Sequence, residues 1–233
     1  MSVAASAQGS ALPLSGLPLR FRVALGLAGL CGLAYLLLAP LLDGPAQVLL
    51  KGSGVAMLAL AAVQIRATGA AWLAAIMALG ACGDMLLAMP GLFIAGAASF
   101  ATGHAVAIAF YMRHRRQVTA TDRLIAGGLL VYGLVMPPLL TPAGMPWGLA
   151  MVYAVLLTGM AASLWLSRFP RLAALGALAF VVSDSILVLR MGGGVLIDPM
   201  IDSALVWSSY FAGQWLITLG VARGLLARAA REG

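Results

Sequence analysis

Four ionisable residues of this sequence stand inside long apolar runs: Lys51, Asp84, His104 and Asp184. A charge at the centre of a bilayer costs roughly 2.5–3.5 kcal/mol even on insertion scales, so each needs a reason to be there. Two carboxyls, a cation and an imidazole are the parts of an acid–base catalyst, in which one group gives a proton and another holds charge. They are also the parts of a proton relay in a transporter. Plainer uses exist. Lys51 can snorkel to headgroups or only neutralise an aspartate. His104 can be a satisfied core histidine. Asp43, Asp122, Asp198, Asp202 and Glu232 fall outside the runs and need no such reason. His114 lies in the basic stretch 113–116, where a solvated or headgroup-facing place is expected.

The setting of these residues follows from composition. Of 233 residues, 63% are hydrophobic and 9% charged, with a mean hydropathy of +1.04. A soluble domain runs nearer half apolar and a quarter charged. Secreted disulfide scaffolds, disordered tails and ordinary cytosolic enzymes are thereby excluded. The sequence predicts an all-α polytopic transmembrane bundle. Its apolar runs are 21–42, 46–65, 70–89, 92–112, 124–141, 146–166, 171–190 and 203–224. Eight spans at ~20 residues each use most of the chain, so one domain over 20–226 is expected. Residues 1–19 are uncharged and rich in Ala, Ser, Pro and Gly, as in a flexible tail, and 227–233 form a short basic tail. No basic residue precedes Arg20, so the first run is expected to stay as a helix rather than be cleaved as a signal. Turn chemistry separates the runs at Asp43-Gly44-Pro45, Thr68-Gly69, Pro90-Gly91, Pro142-Ala143-Gly144, Phe169-Pro170 and Gly192-Gly193-Gly194. Pro137-Pro138 leaves the fifth run few regular turns.

Short connections make neighbouring helices antiparallel, so charge fixes orientation. Of 14 basic residues, twelve gather on one side: Arg20, Arg22, Arg66, Arg113, Arg115, Arg116, Arg123, Arg168, Arg171, Arg223, Arg228 and Arg231. Only Arg190 falls on the other side, and Lys51 is inside a run. The bias predicts both termini in the cytoplasm of a protein in the cell (inner) membrane. It also accounts for a net charge of +7 without nucleic acid as a partner. No basic face with interleaved aromatics exists to track phosphates. Cys31 and Cys82 lack metal or redox spacing and read as inert packing residues. No metal set and no cofactor are expected.

Helix counting then gives depths. Asp84 lies about five residues from the outer end of its run, or ~8 Å at 1.5 Å per residue. Lys51 and Asp184 come out at a similar depth, Tyr210 and Gln214 at and somewhat below it, and His104 at ~18 Å. Tyr210 and Gln214 serve equally well as site residues or as hydrogen-bonding glue between helices. The segments Gly83-Asp84-Met85-Leu86-Leu87 and Ser183-Asp184-Ser185-Ile186-Leu187 are alike and four runs apart, which hints at a parallel duplication.

Gly83-Asp84-x-Leu86-Leu87, followed by Phe93-x2-Gly96-x3-Phe100-x2-Gly103-His104, resembles the YhhN family, which includes the animal TMEM86 proteins. Ser183-Asp184-x2-Leu187 is similar to that family's second acidic motif, and Tyr210-x3-Gln214-x-Leu216-Ile217 to its last-helix signature. Lys51 stands where the family has a lysine. The resemblance implies an eight-helix lysoplasmalogenase. Such an enzyme cleaves the vinyl-ether bond of a lysophospholipid to a fatty aldehyde and a glycerophospho-alcohol. On that basis Asp84, Asp184 and His104 would be catalytic, with Lys51, Tyr210, Gln214 and Ser183 binding substrate. The chemistry suits them. Protonating the β-carbon of a vinyl ether leaves an oxocarbenium ion, to which water adds. Glycosidases meet a related ion with one carboxylic acid and one carboxylate. His104 could orient water, shuttle a proton or bind a metal. A small-solute or proton-coupled transporter is the alternative, although inverted repeats with broken helices are not evident.

Overall fold

The computed structural model describes Pro13, residues 16–140 and residues 147–232. The described residues form eight α-helices: α1 (Leu19–Leu38), α2 (Gly44–Val63), α3 (Ala70–Leu87), α4 (Phe93–Arg113), α5 (Ala120–Leu140), α6 (Trp147–Trp165), α7 (Arg171–Met191) and α8 (Pro199–Glu232). α1 through α7 are each long and apolar enough to cross a membrane. α8 is the longest at 34 residues. Ser208, Ser209, Tyr210 and Gln214 make it the least apolar, yet Tyr210, Gln214 and Thr218 are buried. α8 packs along α7 and also meets α1, α2 and α3, so Tyr210, Gln214 and Thr218 face protein rather than lipid, while Ser208 is exposed. The fold is an all-α bundle of a multi-pass membrane protein. Because successive helices reverse direction, the start of α1 and the end of α8 share one end, called here the terminal end.

Small residues decide how closely the helices approach, since apolar packing against lipid gives no net drive to associate. At the α7–α8 crossing, a Cβ on Gly176 would lie 2.6 Å from the Gly213 carbonyl, and one on Gly213 would lie 2.6 Å from that of Gly176. Lower on the same seam Gly220 rests on Ala173. Between α3 and α4, Gly83 makes room for the Phe100 ring, and Gly96 for the backbone of Leu87. α4 and α5 follow one another in sequence but do not pack along their length; α4 packs on α6 instead. The unpacked gap between α4 and α5 matters for the site.

The helices fall close to the apolar runs, with instructive differences. α5 begins four residues early, at Ala120. There Thr119 Oγ1 accepts from the Asp122 amide at 3.2 Å while Asp122 Oδ2 accepts from the Thr119 amide at 3.0 Å, a reciprocal cap. Pro137 and Pro138 lie in its last turn and the helix continues to Leu140. α8 carries on to Glu232, so residues 227–232 are helical rather than a tail. At the other end Leu17 is buried, so the bundle takes in part of the stretch expected to be tail. The break at Pro142-Ala143-Gly144, most of the tail before Leu19, and Gly233 lie outside the described residues.

Three residues given no role do have structural work. Asp122 is 4% exposed and accepts from Arg116 at 2.8 Å, Arg171 at 2.6 Å and the Trp165 indole at 3.1 Å. It thus ties α5 to the loop before it, to the end of α6 and to the start of α7. Asp202 is fully buried and accepts from the amides of Leu196 and Ile197, closing the α7–α8 loop onto α8. His114 is half-buried. Its ring packs against Phe110 and Phe169, and Nδ1 lies 2.9 Å from the Phe110 carbonyl. Conversely Cys82, expected to be packed, is exposed on the outside of α3.

Candidate active site

Asp84 and Asp184 sit in the last turns of α3 and α7, in the half of the bundle away from the terminal end. Each is buried and each accepts a short hydrogen bond from a tyrosine. Tyr210 on α8 donates to Asp84 Oδ2 at 2.7 Å. Tyr153 on α6 donates to Asp184 Oδ2 at 2.6 Å. Lys51 on α2 is within electrostatic reach of Asp84 without forming a close ion pair, and Tyr35 on α1 also feels that aspartate. Gln214, one turn beyond Tyr210, donates to its hydroxyl at 3.4 Å.

Between the two acids runs a set of packed rings. Tyr210 lies 5.0 Å from Phe180 and 5.8 Å from Phe100, centroid to centroid. His104 lies 5.2 Å from Phe180 and 5.7 Å from Tyr153. The order Asp84, Tyr210, Phe180, His104, Tyr153, Asp184 is therefore continuous across the bundle. Gly83 is what lets Phe100 sit in this layer, since a Cβ there would come within 2.6 Å of its ring.

Two cavities flank the layer. The larger, about 680 Å³, lies among α4, α5, α6 and α7, on the side where α4 and α5 do not pack. Its walls are apolar except for Asp184, Tyr153, Tyr132, Ser185 and two threonines. Tyr132 and Ser185 hydroxyls are 2.6 Å apart. The volume is within the ~300–1,000 Å³ range of ligand pockets. The smaller cavity, about 20 Å³, is lined by His104, Tyr111 and Gln214 among apolar neighbours.

The three acid–base residues do not face a single cavity. Asp184 lines the groove, His104 and Gln214 line the small cavity, and Asp84 lines neither. Ser183 lines neither and is bound elsewhere, its hydroxyl donating to the Val206 carbonyl at 2.8 Å. It serves as α7–α8 glue, a common fate for a serine in a membrane helix. Tyr153, Tyr132, Ser185 and Tyr111 belong to the site region and went unremarked in the sequence. The depth count that grouped Asp84 with Asp184 would have brought in Tyr153 and Tyr132 had hydroxyls been counted with charges. Among the described residues no group of three or more His, Cys, Asp or Glu could hold a metal.

The fold defines a multi-pass helical membrane protein with two buried carboxyls, one of them on the wall of a largely apolar groove. The chain belongs to the YhhN family, whose model matches residues 46–221. That range takes in Lys51, both aspartates, His104, Tyr210 and Gln214. No curated protein and no solved structure matches the chain.

Proposed function

We propose that this protein is a membrane-embedded hydrolase that cleaves the vinyl-ether bond of lysoplasmalogens, giving a fatty aldehyde and a glycerophospho-alcohol. The observation that carries the reading is Asp184, a buried carboxyl on the wall of a largely apolar groove and hydrogen-bonded by Tyr153. An apolar groove suits the aliphatic chain of a single-chain lipid, and a reactive acid along it suits a bond at the chain's head. YhhN membership fits the same chemistry.

Asp184 is the general acid in this reading, because it alone of the pair reaches the groove. It protonates the β-carbon of the vinyl ether. The resulting oxocarbenium ion takes up water, and the hemiacetal collapses with loss of the glycerol oxygen. Asp84, next to Lys51 and Tyr210, carries the compensating negative charge. The two carboxyls are linked through the packed rings of Tyr210, Phe180, His104 and Tyr153. The substrate head is a lysophospholipid; the membrane is the cell membrane.

The test is aldehyde release from a lysoplasmalogen by purified protein in detergent. Release by the wild type, abolished by Asp184→Asn, is the expected result. No release, together with solute flux in liposomes, would replace the hydrolase by a transporter.

A further inference from the structure

Among the described residues, two buried side-chain polar atoms lack any hydrogen-bond partner: His104 Nε2 and Tyr111 Oη. Both residues line the same small cavity. A buried polar atom without a partner is costly, and native proteins rarely leave one. Two such atoms in one void are not independent accidents. His104 and Tyr111 are two helical turns apart on α4. Long side chains on a helix lean toward its N-terminus, so the Tyr111 side chain leans in the direction of His104, and both open on the one cavity.

The size of the void decides what can fill it. A site needs roughly 10–15 Å³ by this measure to hold one water, which must also find two to four polar partners. The cavity offers about 20 Å³. That is room for one water and for no larger ligand. His104, Tyr111 and Gln214 are its polar lining.

We propose that this cavity holds one water bound between His104 Nε2 and Tyr111 Oη, and that this is the water consumed in the hydrolysis. The second half rests on the function proposed above; the first does not. The Tyr111 hydroxyl donates to the water, which donates to His104 Nε2. Gln214, on the same wall, donates to Tyr210, and Tyr210 donates to Asp84, so the site adjoins the polar chain of that acid. Phe100 lines both the cavity and the groove and forms the partition that the water must pass. His104 also packs on Tyr153, the partner of Asp184.

The proton count closes. Asp184 gives its proton to the β-carbon, and the water oxygen then bonds to the oxocarbenium carbon while its released proton goes to the Asp184 carboxylate, the base that lines the groove. That proton leaves with the glycerol oxygen as the hemiacetal C–O bond breaks. Asp184 recovers a proton from the hemiacetal hydroxyl as the carbonyl forms. A groove with almost wholly apolar walls keeps bulk water from the ion, so a stored water has a use.

A density map of the wild-type protein fine enough to show waters is the direct test. One peak within ~2.7–3.2 Å of both His104 Nε2 and Tyr111 Oη is expected; an empty cavity overturns the site. Ala107→Val fills the void from a wall that is not part of the groove. It should remove the peak and lower kcat at least ~10-fold with KM unchanged, since a displaced reactant costs rate rather than binding. Tyr111→Phe adds no bulk and removes one anchor, so it gives the same reading if the valine variant does not fold. Loss of the peak with wild-type kcat would overturn the hydrolytic role. A peak in a wild type that releases no aldehyde would sink the function proposed above and leave the water site standing.

Discussion

At Asp184 the carboxyl meets the groove and a tyrosine; at Asp84 it meets a tyrosine, a lysine's field and no cavity. Their replacements should therefore differ in kind. Asp184→Asn keeps the shape and removes the acidic proton, and aldehyde release should fall by at least ~10²-fold, the low end for a lost general acid. Asp84→Asn should fall comparably, through loss of the charge that balances the oxocarbenium ion. A folded, inserted variant at either position with near wild-type turnover would defeat the paired-acid mechanism. Lys51→Met should lower activity less and move the pH–rate profile, because the lysine acts on Asp84 only through its field; an unchanged profile would remove Lys51 from the site. Tyr153→Phe strips the 2.6 Å bond from Asp184. The bond strengthens as Asp184 gives up its proton, and a hydrogen bond to a charged acceptor is worth roughly 1.5–3 kcal/mol, so a loss of turnover of about tenfold to hundredfold is expected in the same assay. These acids and His104 were legible in the sequence because ionisable groups are rare and expensive in apolar runs. Tyr153, Tyr132 and Tyr111 were not, since a phenol is tolerated in core, interface and site alike. Ser183 was misread for a related reason: nothing in the sequence says that its hydroxyl is already taken by Val206.

The helices themselves were legible because the apolar runs are long and the turn chemistry between them is strong. Their partners were not. Nothing in the sequence says that α4 would skip its neighbour α5 and pack on α6, and that choice opens the groove. Nor does the sequence show that Gly176 and Gly213 meet backbone to backbone. Gly176→Val puts a branched side chain against a carbonyl that cannot yield, where overpacking costs typically ~1–3 kcal/mol. Thermal unfolding in detergent should show a clear drop, or the protein should fail to accumulate; wild-type stability would mean that the α7–α8 seam is looser than described. Asp122 offers a contrast at the terminal end. Asp122→Ala leaves Arg116 and Arg171 facing one another without their shared carboxylate and opens the cap of α5. Both arginines are partly exposed, so solvent screens part of the loss. A fall in unfolding temperature is expected with KM for the lipid unchanged, because the cluster lies at the opposite end of the bundle from the acid layer. A raised KM would link this end to substrate binding.

On the scale of the whole molecule, the charge asymmetry and the acid layer give the site a side. The terminal end carries twelve arginines, several of them anchored: Arg113 lies over Trp72 at 4.5 Å and Arg171 over Trp165 at 4.3 Å, ring centroid to guanidinium. The far end carries Arg190 and an apolar loop with Val195, Leu196 and Ile197 exposed. Translocating twelve arginines is the unfavourable alternative, since short loops rich in Lys and Arg stay in the cytoplasm. α8 runs back along α1, Trp207 donating to the Gly32 carbonyl and Trp215 to that of Leu25, so both termini lie at one end of the bundle. A reporter fused after Gly233 should therefore be active in the cytoplasm; activity only on the outer side would reverse the orientation. The consequence for chemistry follows from the same geometry. Asp84 and Asp184 sit in the last turns of their helices at the far end. The charge bias predicts cytoplasmic termini, and on that prediction the two acids belong to the outer half of the bilayer. The gap between α4 and α5 is the side on which the groove is not closed by helix packing. A lysolipid should thus be taken laterally from the outer leaflet, head toward the acids and chain along the groove. Bulk at Ala101 or Ala105, small residues of α4 on that wall, should raise KM for long-chain substrates at least ~10-fold while sparing short-chain ones, because filling a pocket rejects the atoms that occupied it. Equal KM changes for long and short chains would put the lipid tail somewhere other than this groove.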